Sequence, residues 1–158
     1  MELGTLGAVL RFAIELEGRS AEFYQEAASL AENSVVEGVL LALAEAKRKR
    51  KGLLERSRRE YINEMLLEPI SGLEGSDDLV DTELSSDMDS QSVLRSAREL
   101  EENSQGLYLG AAQKISHLPQ LARVFRKLGQ GNADHKLKLG PLDNSERPAA
   151  KGGRNTSG

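Results

Sequence analysis

The sequence contains no cysteine. That absence excludes disulfides, thiol catalysis, iron–sulfur clusters and cysteine-ligated zinc. It is compatible with a cytoplasmic chain, and the cytoplasm is the expected compartment. Aromatic residues make up only 4% of the chain. The longest apolar run, Gly38 to Ala44, is far too short to cross a bilayer, so no membrane partner is expected. No positively charged start leading into an apolar stretch marks a signal peptide. A formal net charge of −4 is mild and gives no general argument for nucleic acid. What is abundant is Leu, Ala and charge, the composition of a helical bundle rather than a sheet protein. A length of 158 residues suits one domain with an adequate core.

The chain contains one stretch twice. Val9-Leu10-Arg11-Phe12-Ala13-Ile14-Glu15-Leu16-Glu17 runs on through Ser20 and Tyr24 to Ala28. Val93-Leu94-Arg95-Ser96-Ala97-Arg98-Glu99-Leu100-Glu101 runs on through Ser104 and Tyr108 to Ala112. At this offset of 84, 11 of the 20 positions from 9 to 28 carry the same residue, where chance gives roughly one or two. Each copy reads as a helix with one buried stripe. In the first the stripe is Leu6, Leu10, Ala13, Glu17, Ser20, Tyr24 and Ala28. In the second it is Leu94, Ala97, Glu101, Ser104, Tyr108, Ala111 and Ile115. The odd member of each is a glutamate, and a lone buried carboxylate is costly unless something pairs with it.

In order, the spacing predicts a first helix over about 5–31, capped by Thr5. A second runs over about 34–67, opened by the capping-box spacing of Ser34 and Glu37 and ended by Pro69. Its stripe is Val36, Leu40, Leu43, Lys47, Arg50, Leu54 and Tyr61, so two cations stand where apolar residues belong. Residues 68–92 hold eight acidic residues and no basic one. They read as a long crossover, with room for one short helical turn. The third helix covers about 90–116. His117-Leu118-Pro119 turns into a fourth that ends near Leu139, with the stripe Leu121, Phe125, Leu128, Asn132, His135 and Leu139. Residues 140–158, with little apolar content, read as a disordered tail after a domain of residues 1–139. Two hairpins joined by one long crossover give an all-α, ferritin-like four-helix bundle.

The segment from Ala13 through Glu17, Ala21, Phe23 and Tyr24 resembles the first helix of rubrerythrin-type ferritin-like proteins, and its repeat resembles their third. The resemblance covers about residues 5–139. It implies a two-iron site built from a Glu on helices one and three and a Glu-x-x-His on helices two and four. Glu17 and Glu101 match the single glutamates. Leu43 through Arg50 matches the family's helix-two motif, with Lys47 at the glutamate position and Arg50 at the histidine. On helix four Asn132 stands at the glutamate position, and His135 keeps the histidine. Only Glu17, Glu101 and His135 remain as residual metal ligands.

Two cations inside the site repel a metal by about 4 kcal/mol per unit charge pair at 4 Å and an effective dielectric near 20. Two carboxylates and two cations also balance without one. The expectation is therefore a buried ionic cluster of Glu17, Glu101, Lys47 and Arg50, with His135, Asn132, Tyr24 and Tyr108 filling the remaining donor and acceptor positions. No cofactor is then needed, and the expectation is a structural, regulatory or partner-binding protein with a protein partner rather than an enzyme; the family resemblance further implies a homodimer. The alternative is a non-haem iron protein, iron-handling or an oxidase or peroxidase, with an atypical single-metal site or one completed by residues such as Glu15, Glu45, Glu99 or Asp134. The run Lys47-Arg48-Lys49-Arg50-Lys51 is spread around the helix, 47 and 50 inward and 48 and 49 outward. It argues weakly for nucleic acid and more for the acidic crossover packing along it.

Overall fold

The computed structural model describes residues 2–61, 63–73, 75, 84 and 88–142. Four long helices form: α1 (Leu6–Ser29), α2 (Ser34–Arg59), α4 (Ser90–Lys114) and α5 (Pro119–Leu139), with a single-turn α3 (Asn63–Leu66) after α2 and a 3-10 turn at Gly140–Leu142. The chain is an all-α four-helix bundle. α1 and α2 pack antiparallel as one hairpin and α4 and α5 as the other: Gly18 lies against Lys51, and Gln25 further along α1 bonds Arg48 earlier on α2.

Side-chain oxygens start three of the helices. Thr5 Oγ1 accepts from the Ala8 N–H at 3.0 Å, Asn33 Oδ1 from Val36 at 2.9 Å, and Asp89 Oδ1 from Ser92 at 2.8 Å. Each satisfies one of the backbone donors that a helix start leaves open. α5 has no side-chain cap and begins instead with Pro119, whose missing N–H is no loss in the first turn. The cap of α2 is Asn33 and not the expected Ser34, which is already helical. Asn33 sits one residue earlier with an equally short acceptor, and it leaves Glu37 in the first turn.

α2 also ends eight residues before the expected Leu67. Glu60 and Tyr61 close its last turn by bonding Ser57 and Arg58 carbonyls at 3.2 Å. At 1.5 Å per residue, a helix reaching Leu67 would overshoot α1 by about 15 Å. The chain folds back instead and lays Leu66 on Gly7, where a Cβ would sit 2.9 Å from the Leu66 carbonyl oxygen. The connection that follows is tied to the chain start: Leu3 N–H bonds Leu73 O at 2.9 Å, Leu6 N–H bonds Glu68 O at 3.0 Å and Ile70 N–H bonds Gly4 O at 3.0 Å. Thr5 and Pro69 form an isolated antiparallel bridge. At the other end Met88 and Ser90 stand beside Leu30, Ala31 and Val36. The crossover therefore spans the bundle from the start of α1 to its finish.

Every member of the predicted stripes of α1, α4 and α5 is buried, polar residues included. On α2, Leu40, Leu43, Lys47, Arg50 and Leu54 are buried, while Val36 and Tyr61 are half-buried at the ends. Most of the acidic crossover residues, and the expected contact of this segment with the basic helix, lie outside the described residues. So does the tail beyond Leu142; Gly140–Leu142, expected to belong to it, continues from α5 as a 3-10 turn.

Candidate functional site

Four helices each send polar side chains into the middle of the bundle. Glu17, Lys47, Glu101 and Asn132 have no accessible surface, and Arg50 and His135 retain 8% each. The stripe that carries Leu10 and Ala13 inward carries Glu17 inward one turn later, and the 84-residue repeat does the same for Glu101. On α2, Lys47 and Arg50 occupy the face that Leu43 and Leu54 bury on either side.

Glu17 is clasped by Arg50, with Nε donating to Oε1 at 2.9 Å and Nη2 to Oε2 at 3.1 Å. Both carboxylate oxygens thus meet the planar edge of one guanidinium, the strongest geometry available to this pair. The Tyr108 hydroxyl donates a short bond to Oε2. Glu101 Oε1 accepts from Lys47 Nζ at 3.0 Å and Asn132 Nδ2 at 2.7 Å, with His135 Nδ1 at 3.3 Å, while Oε2 accepts from the Tyr24 hydroxyl at 2.5 Å. Arg50 donates further to Asn132 Oδ1 and to the Leu128 carbonyl, both at 3.0 Å. Its guanidinium carbon lies 5.3 Å from the Tyr108 ring centre, and Lys47 Nζ lies 6.0 Å from that of Tyr24.

The tyrosines are exchanged between the repeats. Tyr24 lies seven residues after Glu17 but bonds Glu101; Tyr108 lies seven after Glu101 but bonds Glu17. A pseudo-twofold relation between the hairpins gives this crossing: each tyrosine lies about two helical turns beyond its own glutamate and meets the other one. The second hairpin's polar pair, Asn132 and His135, is not a copy of Lys47 and Arg50, so the cluster's charge is asymmetric about that relation.

Burial opposes ionisation throughout, and the neighbours decide the outcome. At Glu101 burial pushes the carboxyl up, but the Lys47 charge, the contact with His135 and the Tyr24 hydroxyl more than reverse it and hold it at about 2. At Lys47 burial prevails over the attraction of Glu101, then Glu17, and lowers the amine below its usual range. The benefit of the pair therefore appears mainly on the carboxylate, which has four partners where the amine has one. Burial also disfavours charge on Arg50, yet Glu17 and then Tyr108 raise it above its usual value. Burial first, and the adjacent carboxylate second, push Tyr24 and Tyr108 well above the phenol range, so both remain hydroxyl donors.

The structure thus brings together all eight residues singled out in the sequence. Glu15, Glu45, Glu99 and Asp134, the alternative ligands, do not join them: all four are exposed. The stripe spacing that turns Glu17 and Glu101 inward necessarily turns Glu15 and Glu99, two residues earlier, outward. Among the described residues no group of three or more His, Asp or Glu side chains is arranged to hold a metal ion. The donor set does not fit one either. Both oxygens of each glutamate are engaged by N–H or O–H donors, and two of the donors are cations. Sequence reasoning missed Gly131, where a Cβ would stand 3.1 Å from Arg50 Nη1. The signal was present, because Gly129 and Gly131 interrupt an otherwise helix-favouring segment and such glycines often mark a close approach.

No family model and no curated protein matches the sequence. The architecture does match solved structures. A candidate ferritin-like diiron-carboxylate protein from Thermotoga maritima superposes with a TM-score of 0.75 at 20% identity, covering 90% of this chain and 97% of the other. A hypothetical protein from Pyrococcus furiosus superposes with a TM-score of 0.67 at 19% identity, covering 89% of each chain. The chain has the ferritin-like fold. In this ferritin-like bundle the two hairpins, the single long crossover and the polar middle all follow the plan in which facing helices project side chains into the bundle core.

Proposed function

We propose that this chain is a rubrerythrin-type ferritin-like protein in which the Glu17–Arg50 and Glu101–Lys47 pairs occupy the place of a two-metal centre, and that it works as a structural, regulatory or partner-binding protein rather than as a metal-dependent oxidase. One observation carries the reading: the lone pairs a metal would need are already taken by a guanidinium, an ammonium, two phenols and an amide. A divalent ion would have to displace two buried cations and leave them uncompensated. No residual ligand remains on α2, and α5 supplies only His135.

Such a protein acts through its outside. A contiguous apolar groove of about 360 Å³, lined by Val35, Val39, Ala42, Ala46, Pro141 and Leu142, supports that, with Val35 68% exposed at its edge. The proposal extends to a cytoplasmic homodimer that engages a protein partner without a cofactor.

Metal analysis of protein purified without chelator, followed by ferrous titration, tests the reading. The expected result is no stoichiometric iron. Two irons per chain with a bridged-iron absorption band would reject it. The triple variant Lys47→Glu, Arg50→His and Asn132→Glu restores the missing carboxylates and imidazole, and is expected to take up iron on a scaffold that otherwise does not. If it folds and binds none, the correspondence of these positions to metal ligands is wrong.

A further inference from the structure

The outer groove between α1 and the end of α2 gathers more positive than negative charge. Arg11, Ile14, Glu55, Arg58 and Arg59 line an open groove of about 360 Å³. Arg11 and Arg59 are exposed and Arg58 is half-buried. Glu55 stands three and four residues before Arg58 and Arg59, the spacing at which helical ion pairs form. The ion pairs of the described residues nevertheless include none between Glu55 and either arginine. Basic residues in the last turn of α2 suit the helix dipole. The dipole does not explain Arg11, which comes to the same groove from another helix.

A second observation points to a ligand. Arg58 Nε is shielded from solvent and has no hydrogen-bond acceptor, one of two such side-chain atoms among the described residues. The other, Ser104 Oγ, is a neutral hydroxyl in the core. A shielded donor on a charged group is the more costly to leave unmet. Arg58 lines the same groove; to serve an anion seated there, its guanidinium has to turn the shielded Nε–Nη edge outward.

We propose that this groove binds a phosphate group, as the free ion or as a monoester, with the Arg58 guanidinium as its central donor. Three guanidiniums against the Glu55 carboxylate leave two positive charges, which a phosphate dianion neutralises and a lone carboxylate does not. The planar guanidinium edge presents parallel N–H groups at the spacing of two oxygens on one phosphorus. Ile14 forms an apolar wall against which the organic part of an ester can rest.

Calorimetric titration of the full chain at low ionic strength tests this, with inorganic phosphate, phenyl phosphate and acetate as probes. The expected result is saturable binding of one phosphate per chain that weakens as salt is added, with acetate binding more weakly. Tighter binding of phenyl phosphate identifies an ester as the ligand, and tighter inorganic phosphate the free ion. Arg58→Gln is expected to weaken binding about tenfold or more without lowering the thermal midpoint. Arg58→Lys keeps the charge but loses the fork, and is expected to weaken it too. Should Arg58→Gln fail to fold, Arg58→Lys and Arg11→Gln carry the test. Arg126→Gln removes the same charge from an exposed site on α5 and is expected to leave binding unchanged. No saturable binding of either phosphate, acetate binding as tightly, or an equal loss in Arg126→Gln would overturn the proposal. None of these changes touches the ionic cluster inside the bundle, so this proposal and the reading of the core fail separately.

Discussion

Glu101 accepts hydrogen bonds from an ammonium, an amide and a phenol, with an imidazole nitrogen at the edge of reach. Removing the carboxylate leaves Lys47 charged, buried and alone. Glu101→Ala is therefore expected to destabilise the protein by about 3–5 kcal/mol, read from urea or guanidinium midpoints. A near-neutral result would contradict the burial of the pair. The same residue sets an acid limit. Its folded value of about 2 lies below the ordinary 4.5, so the folded state holds the negative charge more firmly than the unfolded chain does. That contribution, about 3 kcal/mol, is fully present above pH 4.5 and is lost as pH falls through about 2. Unfolding midpoints measured between pH 5 and pH 2 should fall steeply, and Glu101→Gln should flatten that part of the profile.

Helix ends and glycines carry the argument at the scale of elements. α2 stops at Arg59 because the bundle ends there, and α3 returns the chain onto Gly7. A Cβ at Gly7 meets backbone, which cannot swing aside as a side chain can. Gly7→Ala is expected to cost about 1–3 kcal/mol despite alanine's better helix propensity. Gly38, on the exposed face of α2, meets nothing within 4 Å. Gly38→Ala should stabilise by about 0.5–1 kcal/mol through the same propensity with no opposing contact. Thermal midpoints of the two variants, moving in opposite directions, check this account of how α1 is seated.

For the molecule as a whole, the cluster joins two hairpins that otherwise meet through apolar side chains. Tyr24, Tyr108, Lys47 and Arg50 each reach from one hairpin to a group on the other. Such a polar centre aligns the hairpins, because any slide along their length breaks several bonds together. It need not add net stability, since desolvation of four ions opposes their attraction. Replacing Glu17, Lys47, Arg50 and Glu101 by Leu or Met, together with Tyr24→Phe, Tyr108→Phe and Asn132→Leu, removes every charge of the cluster and the polar groups bonded to its carboxylates except His135. That variant is expected to match the parent or exceed it by about 1–4 kcal/mol in denaturant unfolding, with helix content unchanged. A loss of several kcal/mol would mean that the cluster contributes net stability after all.

The sequence by itself determined the bundle and the residues at its centre. The helical period fixes which side chains share a stripe, and Glu17, Lys47, Arg50, Glu101, Asn132 and His135 lie on stripes whose other members are mostly apolar. The 84-residue repeat sets the two hairpins, and the long acidic segment between them reads as their connection. Tertiary structure alone decided the pairing. Periodicity says that a residue faces inward but not which inward residue on another helix it meets. The exchange of tyrosines between repeats, the assignment of Arg50 to Glu17 and Lys47 to Glu101, and the use of the Leu128 carbonyl all depend on how far one helix is shifted along its neighbour. The end of α2 was hidden for a related reason. Its local sequence favours continued helix, and the packing of Leu66 against Gly7, a contact between residues far apart in the chain, outweighs that local preference.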